Sequence, residues 1–263
     1  QRAVAAIGRA AAAGARLVVL PEYSSGWARR ITPALAEPVE GPFVSAVREA
    51  AREHGTTVLV GTVLPATDDV VTAAAEQRAD RAANVTLAIG PAGELVGSYT
   101  KAHLFDAFTV RESEHLVPGA VTGPGAEPLV VDVGGLQVGV LTCYDLRFPE
   151  SARRLVDAGA QVIAVGAAWA SGPGKAEQLG VLVQARAIEN GVYVLLASQS
   201  GPGRTGRTAV VDPRGTVLAR LGDGGAGGET EIATAELEPE LVSEVRDQVP
   251  ALRHRRFAVV PRP

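Results

Sequence analysis

Three side chains suited to chemistry each sit at the end of an apolar run: a thiol, an ammonium and a carboxylate. Cys143 is the single cysteine among 263 residues. It follows residues 136–142, which read as a buried strand, and precedes a turn and a helix opening at Pro149-Glu150. In open α/β sheets, ligands meet the chain at the C-terminal ends of strands. A thiol there can attack a substrate while nearby backbone N–H groups face the oxyanion that forms. The competing reading is a buried structural thiol, because cysteine is among the most buried residue types. Of the 25 basic residues, Lys101 and Lys175 are the only lysines, leaving 23 arginines. A lysine kept in so arginine-rich a chain points to work a guanidinium does badly, such as placing a compact charge in a tight pocket. Lys101 follows a strand-like stretch, whereas Lys175, in Ser171-Gly-Pro-Gly-Lys175, reads as a solvated loop charge. Glu22 closes the short apolar run 17–20, between Pro21 and Tyr23. It is either a solvated strand terminus or a base projecting into a site.

Together these segments resemble the nitrilase, or carbon–nitrogen hydrolase, superfamily. Pro21-Glu22, Tyr99-Thr-Lys101-Ala-His-Leu-Phe-Asp106 and Cys143-Tyr-Asp-Leu-Arg-Phe-Pro-Glu150 are similar to its three signature blocks, in the same order. Arg111-Glu112-Ser113, followed by Pro118-Gly119, resembles the segment carrying a second glutamate. Gln184-Ala-Arg-Ala-Ile-Glu-Asn190, Val210-Val-Asp-Pro-Arg-Gly-Thr-Val217 and Pro250-Ala-Leu-Arg-His-Arg-Arg256 extend the resemblance over nearly the whole chain. It implies that Cys143 attacks an amide carbonyl to form a thioester. Glu22 would carry protons, Lys101 and a backbone N–H near Tyr144 would stabilise the oxyanion, and Glu112 would orient Lys101 or the substrate. A thiol ionises near pH ~8.5 unless helped, so a base beside Cys143 is required at neutrality.

The elements that must position these groups come in two sets. Ala13-Gly-Ala-Arg-Leu-Val-Val-Leu20 parallels Ala158-Gly-Ala-Gln-Val-Ile-Ala-Val165, and His54-Gly-Thr-Thr-Val-Leu-Val60 parallels Asn190-Gly-Val-Tyr-Val-Leu-Leu196. In each pair a helix, a glycine stop and a strand follow one another. Residues 86–96 parallel 208–218 as strand, Pro-x-Gly turn, strand. The expected fold is therefore α/β, a four-layer αββα sandwich with an internal pseudo-two-fold repeat, forming one domain over residues 1–263. The first half lacks a counterpart of the strand at 136–142, and the chain has no methionine. Both observations lead to the expectation of a further strand before Gln1. Residues 67–83 read as an exposed connection, 222–228 as a flexible loop, and 202–208 as a mobile surface loop.

Composition narrows the partners. With 46% hydrophobic residues the chain can bury a large core, and a net charge of −4 argues against a nucleic-acid or anionic-membrane surface. No apolar run approaches a membrane span. One cysteine makes no intrachain disulfide and suits a reducing cytoplasm. His54, His103, His115 and His254 lack metal-ligand spacing, so neither metal nor cofactor is implied. The family resemblance implies a homodimer or higher homo-oligomer.

The substrate is read from the segment after the nucleophile. Tyr144-Asp145 stands where nitrile hydrolysers have Trp-Glu, and the segment looks most like the omega-amidase and deaminated-glutathione amidase branch. Those enzymes act on small amides that carry a carboxylate. Arg147, Arg111 or Arg204 could pair with such a group, and Tyr23, Tyr144 and Trp169 are candidate substrate contacts. Trp27 and Trp169 could wall a pocket or fill core. The chain departs from the branch at Pro173-Gly-Lys-Ala-Glu-Gln178, which replaces Pro-Ala-His-Trp, and at Arg207-Thr208. Besides an amidase, an N-carbamoyl amine or amino-acid hydrolase and a catalytically silent binding module stand as alternatives.

Overall fold

The computed structural model describes residues 1–28, 30–72, 80–123, 125–222 and 231–261. They gather into two compact units, Gln1–Leu129 and Val130–Arg262. In the first, the chain runs α1 (Arg2–Ala12), β1 (Leu17–Val19), α2 (Pro42–His54), β2 (Thr57–Pro65), β3 (Ala82–Ile89), β4 (Leu95–Thr100) and β5 (Leu116–Val117). Ala6, Ile7 and Ala10 form the buried stripe of α1, and Val44, Val47, Ala50 and Ala51 that of α2, at the i, i+3, i+4 spacing of an amphipathic helix. Both stripes join Val18, Val58, Val60, Val85, Leu87 and Ile89 in one apolar cluster. The sheet order is β1-β2-β3-β4, with β1 parallel to β2 and the β2–β3 and β3–β4 pairs antiparallel, and β5 pairs in parallel with the start of β3.

The second unit contains β6 (Val130–Val133), β7 (Leu136–Thr142), α3 (Pro149–Asp157), β8 (Val162–Ala167), α4 (Lys175–Asn190), β9 (Tyr193–Ser198), β10 (Ala209–Val211), β11 (Val217–Arg220) and α5 (Pro239–Gln248). Its sheet runs β11-β10-β9-β8-β7-β6, with β7, β8 and β9 mutually parallel. Proline at the first turn of α2, α3 and α5 supplies the helical φ where no intrahelical N–H bond is lost.

The internal repeat extends to the helix ends. Helices α1 and α3 stop at Ala13 and Ala158, with φ of −85° and −84°, each followed by a glycine at positive φ. Helices α2 and α4 stop at Gly55 and Gly191, both left-handed, at φ 60° and 56°. After each of these two glycines a strand pairs in parallel with the strand before the helix, and an antiparallel hairpin with one register shift follows. The α/β class and the repeat are as expected. One asymmetry stands: β8 lies between β7 and β9, whereas β1 pairs with β2 alone among the described strands.

Two loop expectations need correction. The segment 202–208 is not a loose surface loop. Ser171 N–H donates to the Gly203 carbonyl at 3.1 Å, Thr205 N–H to Trp169 at 2.9 Å and Gly206 N–H to Gln199 at 3.0 Å. These bonds bury Thr205 and lay the segment along the chain leaving β8. The connection 67–83 is exposed only in part: Thr67, Asp69 and Asp80 face solvent, but Val71 is buried, Thr72 N–H donates to Thr100 Oγ1 at 3.0 Å, and Ala82 and Ala83 already belong to β3. Its residues 73–79, and residues 223–228 of the glycine-rich loop, lie outside the described residues. Among the described residues no helix is long and apolar enough to cross a membrane.

Candidate active site

In the first unit, strand ends deliver a buried cluster of charge. Glu22 lies just beyond β1, and Lys101 is the first residue after β4; each is 1% exposed. Lys101 Nζ donates to Glu22 Oε1 at 2.9 Å and to Glu112 Oε2 at 2.9 Å. Glu22 Oε1 also accepts Asn84 Nδ2–H at 2.7 Å. Glu112 opens the short 3-10 turn Glu112–Glu114 and accepts the Phe105 N–H at 2.7 Å and the Tyr23 hydroxyl at 2.8 Å. Buried charges persist only when paired and hydrogen-bonded, and each carboxylate here has several donors.

The backbone is shaped to allow this. Lys101 N–H donates to the Asn84 carbonyl, and Gly119 N–H donates to the Lys101 carbonyl, both at 2.9 Å. A Cβ on Gly119 would come within 2.2 Å of the Thr100 carbonyl oxygen; one on Gly61, in β2, within 2.6 Å of Glu22 Cα. Tyr23 sits in the left-handed region, φ 57°, an uncommon place for a bulky residue. Burial, then the negative charge of Glu112, pushes its hydroxyl well above the usual tyrosine range, so it remains a donor. Burial alone would push the Glu112 carboxyl up. The Lys101 ammonium, the Phe105 N–H and the Tyr23 hydroxyl outweigh this and hold it below the usual carboxylate range.

In the second unit, β7 ends at Thr142 and the chain enters the 3-10 turn Cys143–Arg147. Cys143 opens it at φ 47°, a left-handed conformation costing a non-glycine residue about 1–2 kcal/mol. The turn is over-determined on both sides. Asp145, fully buried, accepts the Thr142 N–H at 3.1 Å, and the Thr142 hydroxyl accepts the Asp145 N–H, a reciprocal cap. From α4 the buried Arg186 donates through Nε to the Leu146 carbonyl at 3.0 Å and pairs with Glu189. The thiol is reduced and buried, in the same apolar cluster as Leu146, Trp169 and Leu179. Tyr144 packs edge-on against Phe148, ring centroids 5.1 Å apart. The Arg147 guanidinium lies 5.0 Å from the Trp169 ring centroid, and its Nη2 donates to Gln178 Oε1 at 2.8 Å.

The first unit thus brings together Glu22, Tyr23, Lys101 and Glu112. The second brings together Cys143, Tyr144, Arg147 and Trp169. Arg111 and Arg204 are turned to carbonyls of their own loops, Phe108 and Val110 for one and Gly203 for the other. Trp27 is 39% exposed, whereas Trp169 is buried. Lys175 is not a loop charge: it is the first residue of α4 and is partly buried. Sequence reasoning passed over Asn84 and Arg186, and read Asp145 only as a mark of the substrate branch, not as the cap that holds the turn. Asn84 is signalled by an amide inside an otherwise apolar strand, and Asp145 by its Thr-x-x-Asp spacing.

The carbon-nitrogen hydrolase family model matches residues 1–247, and the chain belongs to that family. It is 38% identical over 264 residues to a protein of Mycobacterium tuberculosis named as a hydrolase, covering 94% of this chain and 86% of that one. It is 34% identical over 223 residues to the deaminated glutathione amidase of Escherichia coli O157:H7, covering 85% and 77%. Among solved structures, it matches a mutant of the amidase of Nesterenkonia sp. AN1 whose active-site cysteine carries the acetamide moiety of fluoroacetamide. That match has a TM-score of 0.74 at 27% identity, over 96% of this chain and 85% of the other.

Proposed function

We propose that this carbon–nitrogen hydrolase cleaves a small, carboxylate-bearing amide to the acid and ammonia, with Cys143, Glu22 and Lys101 as its catalytic residues. The observation that carries the reading is the buried ammonium of Lys101 held between Glu22 and Glu112. Such an array pairs both carboxylates with one cation away from water and fixes one donor in place, as acid–base work on an acyl group demands. Cys143 Sγ attacks the amide carbonyl carbon as Glu22 accepts the thiol proton. Lys101 Nζ and a backbone N–H of the turn after Cys143 donate to the oxyanion. The tetrahedral intermediate collapses, the C–N bond breaks, and Glu22 returns the proton to the departing ammonia, leaving a thioester. Water then attacks the thioester carbon as Glu22 takes its proton; the C–S bond breaks, and Glu22 returns that proton to the departing sulfur, releasing the acid and restoring the thiol and the free carboxylate. Glu112 holds Lys101 and Tyr23 rather than reacting. The similarity to an amidase with a covalently modified active-site cysteine supports this assignment.

The same reading includes a homodimer, supported by Val181 and Ile188, exposed two turns apart on α4. It also places the enzyme in a reducing compartment such as the cytoplasm, which suits a single free cysteine. Ammonia release from succinamate, glutaramate, butyramide and ureido acids tests the activity. Wild-type turnover of the amides, lost in Cys143→Ala, is the expected result. Turnover confined to ureido acids, or undiminished in Cys143→Ala, would reject it.

A further inference from the structure

We propose that Asn84 positions the water that hydrolyses the thioester, its Oδ1 accepting one hydrogen of that water while Glu22 takes the other. The inference rests on the amidase reading above and assigns a residue to the second half of that reaction. Asn84 is fully buried in β3, a strand whose eight residues are all buried. It stands opposite Val63 in the register with β2, on the face of the sheet where Gly61 meets Glu22. Its carbonyl accepts the Lys101 N–H at 2.9 Å, and its Nδ2–H donates to Glu22 Oε1 at 2.7 Å. A flipped amide would set Oδ1 against the carboxylate, acceptor to acceptor, so the donor end must face Glu22. That leaves Oδ1, in the same planar group, buried and accepting no hydrogen bond among the described residues.

A buried acceptor beside a general base calls for a donor from outside the chain. Water needs such an acceptor more than the amide does. The amide nitrogen is held by its bond to the carbonyl carbon, whereas a water molecule is held by hydrogen bonds alone. Water carries two hydrogens. With one on Glu22 and one on Asn84 Oδ1, a lone pair is left to face the thioester carbon. As the new O–C bond forms, Glu22 takes its hydrogen as a proton. The other hydrogen stays on the oxygen and leaves with the acid, so Asn84 is not protonated. Cleavage of the C–S bond then draws the Glu22 proton to sulfur. Thr62 Oγ1, also without a partner among the described residues, belongs to the other face. Thr62 stands opposite Val85, on the side that carries Val58, Val60 and Leu64 into the apolar cluster.

The test is the partition of the thioester between water and methanol, with butyramide or succinamate as substrate, whichever is turned over faster. Methanol has one hydroxyl hydrogen, so it can serve Glu22 or Asn84 but not both. The acid and its methyl ester are measured together. Their ratio depends neither on how much of a variant folds nor on how fast the thioester forms. Wild type is expected to favour water, mole for mole. Asn84→Leu, which keeps the bulk and removes the amide, should lower the water-to-methanol ratio by roughly tenfold or more, as expected for loss of one buried hydrogen bond. Asn84→Asp keeps an acceptor, so it should hold most of the wild-type ratio however slow its turnover. A ratio that survives Asn84→Leu, or that falls as far in Asn84→Asp, would show that Asn84 only holds Glu22. Either result overturns the water site and leaves the amidase reading standing. No ammonia from either amide would reject the amidase reading, and the water site with it.

Discussion

Glu112 accepts hydrogen bonds from an ammonium, a phenol and a backbone N–H at once, so its ionisation is tied to folding as well as to chemistry. Its native pKa lies below that of the unfolded chain. The stability this contributes is complete above the ordinary carboxylate range and is lost as pH falls through the native value. Glu112→Gln should therefore cost about 1–3 kcal/mol at pH 7 and flatten the acid limb of stability, read from urea midpoints between pH 3 and 7. An unchanged acid limb would show that Glu112 is not held anionic. Lys101→Arg keeps the charge but replaces a compact ammonium with a planar fork, and should lower kcat by about a hundredfold or more. Near-normal kinetics would remove Lys101 from the oxyanion site. Asn84→Ala should lower kcat more than it raises KM, because its amide fixes a Glu22 oxygen rather than the substrate. Asn84→Asp, which faces Glu22 with a second carboxylate, should be worse than Asn84→Ala. Glu22, Lys101 and Cys143 stood out as candidates in the sequence because each follows an apolar run, and the structure finds all three buried. Asn84 did not stand out, because the partner that gives it meaning lies 62 residues away.

The strands that carry these groups depend on close backbone approaches as much as on apolar pattern. Gly61 lets the chain at Pro21, Glu22 and Tyr23 lie directly against β2, with no room for a methyl group. Gly61→Ala must displace the backbone of Glu22. It should lower turnover at least tenfold while melting only a few degrees lower, a pairing that activity and thermal unfolding measured on one sample would check. Equal activity would mean that β2 yields instead. The repeated helix, glycine and strand units were legible because their signals are local: apolar periodicity, a left-handed glycine, a Pro-x-Gly turn. The segment 202–208 was misread for the opposite reason. Its composition is that of a loose loop, and what holds it is a set of hydrogen bonds to Trp169, Ser171 and Gln199.

Over the whole chain, the family match spans both compact units, and the internal repeat gives each unit a sheet with helices packed on it. The long α4 has a weaker apolar stripe than the other helices and leaves Val181 and Ile188 in water. Light scattering should give twice the mass of the chain, and Val181→Glu with Ile188→Glu should shift it toward the monomer. A dilution-stable monomer in the unmodified protein would reject the dimer.

The 263 residues contain one cysteine and no methionine, so Cys143 Sγ is their only sulfur atom. Sulfur K-edge absorption of the protein is therefore the spectrum of one side chain, with no background from elsewhere in these residues. Thiol, thiolate and thioester absorb at different energies. A single titration can follow ionisation of this thiol, and a rapid-freeze series with substrate tests whether it is acylated, with neither label nor substitution.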